Sequence, residues 1–212
     1  MDYNINKFVT KRGVTMNYFN MINEIAKKRK GIILTSDLSK ENIPREYLSR
    51  LEKLENIERV SRGVYVTTDA IDDEMYFMQL KVPKIIYSHD TALFMHGLSD
   101  RTPNIYSITI PSNYRVSKEI KDTYKVFYIK LELYEMGKII INTSFGNEVM
   151  VYDIERTICD IVRSRSRIDM QILNDALKRY VKLKTADLNK LDIYSKELKI
   201  DKLIRRYMEV LL

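Results

Sequence analysis

Apolar side chains set the first element of the chain. Tyr18, Phe19, Ile22, Ile25 and Ala26 fall at i, i+1, i+4, i+7 and i+8, the stripe of an amphipathic helix from about Met16 to Lys30. Thr15 is placed to cap it, and Gly31 to stop it after the basic last turn of Lys27 to Lys30. A short apolar run, Ile32 to Leu34, leads to Thr35 or Ser36 as the cap of a second helix from Asp37 to about Asn42. Pro44 suits the first position of a third helix reaching Leu54. In that helix Tyr47, Leu48, Leu51 and Leu54 take one side, which leaves Arg45, Ser49 and Lys53 on the other, with Arg50 at the flank. Two β-branched stretches then follow, Ile57 to Val60 and Val64 to Val66, around the turn Ser61-Arg62-Gly63.

The remainder alternates before it turns helical. Residues 67–74 are polar and acidic and read as a linker, Met75 to Lys81 as a helix, and Ile85 to Tyr87 as a short strand. Further strands are expected over Ile105 to Pro111, Lys125 to Leu133, Lys138 to Asn142 and Glu148 to Tyr152. Helical stripes close the chain: Ile154, Ile158, Ile161 and Val162; then Met170, Leu173, Leu177, Tyr180 and Val181; then Ile200 to Leu211. The expected fold is α+β: an N-terminal winged helix-turn-helix, then a larger α+β domain with a mainly antiparallel sheet and C-terminal helices. The expected division is an arm over 1–15, the winged domain over 16–68 and the second domain over 75–212.

Composition narrows the partners. Of 212 residues 36 are Lys or Arg and 29 Asp or Glu, a net charge of +7. Residues 1–68 hold 13 basic and 8 acidic side chains, so most of the excess lies in the smaller N-terminal third and makes it the first place to seek a polyanion. A short helix, a turn and a helix faced with Arg, Ser and Lys supply the base-edge donors and phosphate cations that double-stranded DNA requires. Arg45, Ser49 and Lys53 are the candidates for bases or adjacent phosphates, and Arg50, Arg59 and Arg62 for phosphates or the minor groove. Glu46 and Glu52 intrude on that surface. A single cysteine, Cys159, excludes an internal disulfide, and no run of about 18 apolar residues or signal-peptide core is found; a cytoplasmic protein is expected.

A possible second basic patch joins Arg156, Arg163 and Arg167, opposite the isoleucine stripe, to Lys178, Arg179 and Lys182. Catalytic chemistry finds little support. Ser88, His89 and Asp90 are consecutive and point apart, so they form no converging triad. His89 and His96 on one helix would stand roughly 10 Å apart along its axis, too far to share one metal. Each histidine is expected to be a structural hydrogen-bonding residue and Cys159 a buried small hydrophobe. No catalytic residues, metal or cofactor are expected; a metal-dependent phosphohydrolase is the enzymatic alternative.

The segments Ser88-His89-Asp90-Thr91-Ala92-Leu93-Phe94-Met95-His96-Gly97-Leu98-Ser99-Asp100-Arg101-Thr102-Pro103 and Asp153-Ile154-Glu155-Arg156-Thr157-Ile158-Cys159-Asp160-Ile161-Val162-Arg163 resemble signatures of the AbiEi antitoxins, and Gly63-Val64-Tyr65 is similar to the end of that family's winged domain. The resemblance implies an antitoxin of a type IV, abortive-infection toxin–antitoxin system that represses its own operon by binding promoter repeats. It also implies a nucleotidyltransferase-type toxin, opposed without a stable complex, through the C-terminal domain. The alternative within this reading is direct masking of the toxin. No catalytic role is carried onto the signature residues; His96-Gly97 would end a helix, and Asp153 or the residues after it would cap one.

Overall fold

A computed structural model describes residues 18–211; the expected arm over 1–15, the Thr15 cap and the helix start at Met16 lie outside them. The first helix, α1 (Tyr18–Lys28), ends where Gly31, at φ 92°, turns the backbone so that its N–H donates to the Ala26 carbonyl at 2.8 Å. The apolar run that follows is a strand, β1 (Ile32–Leu34), and leads straight into α2 (Thr35–Lys40). Neither Thr35 nor Ser36 caps that helix, because Leu34 holds the cap position and no side chain bonds there. Asn42, at φ 54°, reverses the chain, and Ile43 donates back to the Leu38 carbonyl at 2.8 Å while its side chain enters the core. Pro44 and Arg45 then lead into α3 (Glu46–Lys53).

Glu55, at φ 56°, closes α3 and delivers the chain to β2 (Ile57–Ser61), a two-residue turn and β3 (Val64–Thr67). The three strands lie in the order β1-β3-β2, with Tyr65 paired to both Ile33 and Arg59. One cluster gathers Ile22, Leu38, Ile43, Tyr47, Leu48, Leu51 and Ile57. Tyr18 and Phe19 pack on the Tyr47 ring at centroid distances of 5.0 and 5.3 Å. Ile32, Val64 and Val66 are covered instead by Tyr76, Phe77 and Leu80 of α4 (Glu74–Lys81). Residues 67–74 are therefore not a free linker: Thr67 ends β3, and Asp73 is buried with its carboxylate accepting from the Tyr76 N–H. The first unit extends to Lys81 because its sheet needs α4 to cover apolar positions.

The second unit runs from Val82. Its elements are β4 (Ile86–Tyr87), α5 (His89–Met95), β5 (Ser107–Pro111), α6 (Lys118–Thr123), β6 (Lys125–Ile129), α7 (Leu131–Tyr134), β7 (Lys138–Asn142), β8 (Glu148–Tyr152), α8 (Ile154–Arg163), a 3-10 turn (Arg165–Arg167), α9 (Met170–Tyr180), α10 (Leu188–Glu197) and α11 (Asp201–Leu211). Ile86, Phe127, Ile129 and Tyr152 from the sheet share a core with Ile158, Ile161, Leu173, Leu177, Leu191 and Ile204 from the helices. This is an α+β architecture.

Two expectations need correction. The sheet, ordered β6-β5-β4-β8-β7, is mixed rather than mainly antiparallel: β5 runs parallel to β6 and β4 to β8, while β4–β5 and β7–β8 are antiparallel. The parallel β5–β6 pair is allowed by the crossover through α6, whose six residues are too few to give a periodic signal. The alternation from Lys125 to Leu133 is not one strand either. The chain leaves β6 after Ile129 and forms α7, so that the Tyr134 hydroxyl donates to the Lys84 carbonyl at 2.9 Å.

Gly63 occupies the hairpin turn at φ 82°, and a Cβ there would stand 2.8 Å from the Thr35 Oγ1. Its carbonyl accepts from the Thr35 N–H at 2.9 Å, which ties the start of α2 to the hairpin. Gly63→Ala is therefore expected to lower stability by about 1 to 2 kcal/mol. Urea unfolding checks it, and an unchanged midpoint would show that the turn relaxes without cost.

Candidate nucleic-acid interface

Helix α3 owes its orientation to its apolar positions. Tyr47, Leu48 and Leu51 are buried, and their burial turns Arg45, Ser49 and Lys53 to solvent at i, i+4 and i+8. Leu54, expected on the same apolar side, is instead 63% exposed because it caps the helix one residue past its last turn. From Arg45 to Lys53 the row extends roughly 12 Å along the axis, comparable to the width of the DNA major groove. The side chains of Arg45, Ser49 and Lys53 have no ion-pair or hydrogen-bond partner among the described residues.

Arg50 is engaged. Its guanidinium meets the Glu46 carboxylate at 3.4 Å and lies 5.1 Å from the centre of the Tyr47 ring. An exposed i,i+4 pair of this kind contributes about 0.3 to 0.5 kcal/mol, so a phosphate can replace Glu46 at small cost. Of the two glutamates that intrude on the basic face, Glu46 is thus the partner of Arg50, while Glu52 is exposed. On the hairpin, Arg59 and Arg62 are exposed; the Arg59 Nε donates to the Ser61 carbonyl at 3.3 Å across an irregularity in the β2–β3 register. Arg62 sits in the turn itself, next to Gly63. The first unit thus holds all six residues singled out from the sequence on solvent-facing positions of α3, its N-cap and one hairpin. The sequence reading missed the pairing of β1 with β3, through which the hairpin joins the helices; the apolar triplet Ile32 to Leu34 was its signal.

The second basic patch fares differently. Arg156 does not project to solvent: it is fully buried, with Nε donating to the Asp160 carboxylate at 3.0 Å and Nη1 to the carbonyls of Leu133 and Met136, each at 2.9 Å. Its guanidinium carbon lies 4.3 Å from the Tyr152 ring centre. Helical periodicity placed Arg156 opposite the isoleucines, but α7 and the following turn pack on that side of α8 and enclose it. Arg163, partly exposed, donates to Asp160 at 2.9 Å, and Arg167 lies over the Phe127 ring at 4.1 Å while donating to the Val126 carbonyl. Arg179 forms a bidentate pair with Asp100. Lys178 and Lys182 are exposed. The six residues therefore do not make one continuous cationic surface.

Both histidines make the hydrogen bonds expected of structural residues. His89 is buried at the start of α5 with φ 50°, its Nδ1 at 2.9 Å from the Ser88 hydroxyl and its Nε2 at 3.1 Å from the Ser164 hydroxyl. Its ring stacks on Phe127. Burial, followed by the charges of Arg163, Lys125 and Arg167, holds its imidazole well below the usual 6.5. His96 caps the end of α5 and its Nε2 donates to the Tyr152 carbonyl at 2.7 Å; burial lowers its pKa too, against that bond. Cys159 is buried, and burial pushes its thiol up to about 12, far from the reactive thiolate range. Among the described residues no group of three His, Cys, Asp or Glu is placed to hold a metal ion. No helix of the described residues is long and apolar enough to cross a membrane.

Residues 20–68, which comprise most of α1 and everything through the hairpin, match the family model described as transcriptional regulator, AbiEi antitoxin. The likeness to that family is confined to this N-terminal stretch. The match contains all six candidate residues, whereas the segments Ser88–Pro103 and Asp153–Arg163 lie outside it. Among curated proteins there is no match to the chain. Among solved structures, the crystal structure of the RV2827C protein from Mycobacterium tuberculosis has a similar fold, with a TM-score of 0.60 at 11% identity over 85% of this chain and 72% of that one. At that identity the likeness speaks for the fold alone.

Two outcomes follow for the second unit. Arg156→Ala leaves Asp160 with only Arg163 and two carbonyls without their donor, so a loss of about 3 to 5 kcal/mol is expected in urea unfolding. A loss below about 1 kcal/mol would mean that the buried pair is dispensable. The neutral histidines make stability depend on pH: the unfolded chain takes up protons as pH falls through 6.5 while the folded chain does not. Stability is thus full above that value and declines on acidification, with a slope approaching about 1.4 kcal/mol per pH unit for one histidine. Urea midpoints measured near pH 7.5 and pH 5, for the protein and for His89→Gln, test this; an equal or higher midpoint at the lower pH contradicts it.

Proposed function

We propose that the protein is a DNA-binding transcriptional regulator and antitoxin in which α2 and α3 act as a helix-turn-helix and the β2–β3 hairpin as its wing. The observation that carries this reading is the row Arg45, Ser49 and Lys53, held in solvent by the burial of Tyr47, Leu48 and Leu51 next to a hairpin tipped by Arg62. Helix α3 enters the major groove, where Arg45 and Ser49 read base edges or adjacent phosphates and Lys53 meets the backbone. Arg50, Arg59 and Arg62 neutralise neighbouring phosphates, with Arg62 reaching the flanking minor groove. The net charge of +7 favours association with any duplex, and the α3 side chains supply the preference among sequences.

The AbiEi family match supports a regulator of this kind. In the finer reading the chain represses its own operon by occupying promoter repeats in the cytoplasm. It serves a type IV, abortive-infection system and opposes a nucleotidyltransferase-type toxin without a stable complex. The role is one of binding, not of catalysis. No cofactor enters it.

A gel-shift titration against the upstream region of the gene, repeated at two salt concentrations, tests the placement. Replacing Arg45, Lys53 and Arg62 together by alanine is expected to weaken binding at least about tenfold and to lower the salt slope by about 2 to 3. Arg62→Ala alone weakens binding to all duplexes alike, whereas Arg45→Ala also narrows the gap between operator and unrelated DNA. Unchanged promoter binding by the triple variant would remove α3 and the hairpin from the interface.

A further inference from the structure

In the second unit, α9 and α11 leave between them a groove of about 560 Å³ that the DNA-binding reading does not use. Leu177 lies along it from α9, and Leu203, Tyr207 and Val210 from α11; Val210 is 84% exposed. Among the described residues two charged ones line it, Lys178 and Arg206, one from each helix, and no carboxylate does. Neither cation has an ion-pair partner among the described residues, unlike Arg179 one position beyond Lys178, which is paired to Asp100. Lys202, one turn before Arg206, is exposed as well.

We propose that this groove is a docking site for a protein partner that presents an amphipathic helix with an acidic border. Both helices have 11 residues and extend roughly 16 Å, which accommodates about three turns of a partner helix. Anchors at i, i+3, i+4 and i+7 cover the leucines, Tyr207 and Val210, and carboxylates on the two borders meet Lys178 and Arg206. Charge selects among occupants. A second copy of the chain carries +7 and is repelled, and residues 1–17 of this chain hold three basic side chains against one acidic, the wrong sign for the site. A nucleic-acid backbone would satisfy the two cations but would leave the apolar lining without a partner, so a protein helix is the better complement.

The test uses the full chain and two labelled synthetic peptides with the same leucine anchors, one bordered by glutamates and the other by lysines, followed by fluorescence anisotropy. The glutamate peptide is expected to bind at least about tenfold more tightly than the lysine peptide, and Lys178→Glu with Arg206→Glu to reverse that order. Val210→Asp, at a position too exposed to matter for folding, weakens both peptides. Operator binding through α3 is unchanged in all of these variants, which keeps this test separate from the DNA reading. No binding, equal affinity for the two peptides, or indifference to the substitutions overturns the proposal. Loss of duplex DNA binding in the charge-reversed variant with peptide binding unaffected overturns it in favour of a nucleic-acid contact.

Discussion

One constraint governs the basic surface of the first unit: α3 has only one face that can be buried. Tyr47, Leu48 and Leu51 each gain about 1.5 to 3 kcal/mol by leaving water. Rotating the helix by half a turn would forfeit those gains and place Arg45 and Lys53 in the core, at several kcal/mol for each unpaired charge. Both effects favour the same rotation, so the cationic row needs no partner to hold it outward. Its readiness for a polyanion is a by-product of hydrophobic packing on the other side.

The hairpin is bound into the same scaffold. Strand β3 pairs with β1 on one edge and β2 on the other, and β1 continues without a break into α2. The bond from the Thr35 N–H to the Gly63 carbonyl then fixes the hairpin turn against the first residue of that helix. Arg29, whose Nε lies 2.7 Å from the Asp37 carboxylate, links the end of α1 to α2 as well. Arg62 and the α3 row are thereby carried by one small core, which gives a binding surface the rigidity that long cationic side chains lack by themselves.

What the sequence disclosed depended on how local the physics was. The α3 face was legible because a helix of eight residues with three buried apolar positions leaves little choice of rotation. The hairpin was legible from Gly63 between two β-branched stretches. Leu54 was misassigned because periodicity does not record where a helix stops, and Glu55 in the left-handed region stops it there. Arg156 was misassigned for the opposite reason. Its position on α8 was correct, but nothing along the chain announced that the carbonyls of Leu133 and Met136 would close over it. The mixed sheet escaped for want of a signal too, since α6 and α7 are too short to leave a pattern.

The two segments of the second unit that most invited a chemical reading prove to be parts of one packing arrangement. Ser88 accepts from the Thr109 hydroxyl and lies beside His89, whose other nitrogen reaches Ser164 at the end of α8; His96 donates to the carbonyl of Tyr152, and Asp153 caps α8 by accepting from the Arg156 N–H. Ser88, His89 and Arg156 are each fully buried. Their bonds run within the unit: Ser88 ties β5 to the start of α5, His89 ties α5 to the end of α8, and Arg156 ties α8 to α7. The polar residues at the centre of this unit therefore account for its cohesion, whereas the charged side chains its helices leave uncovered, among them Lys178 and Arg206 beside the α9–α11 groove, face solvent.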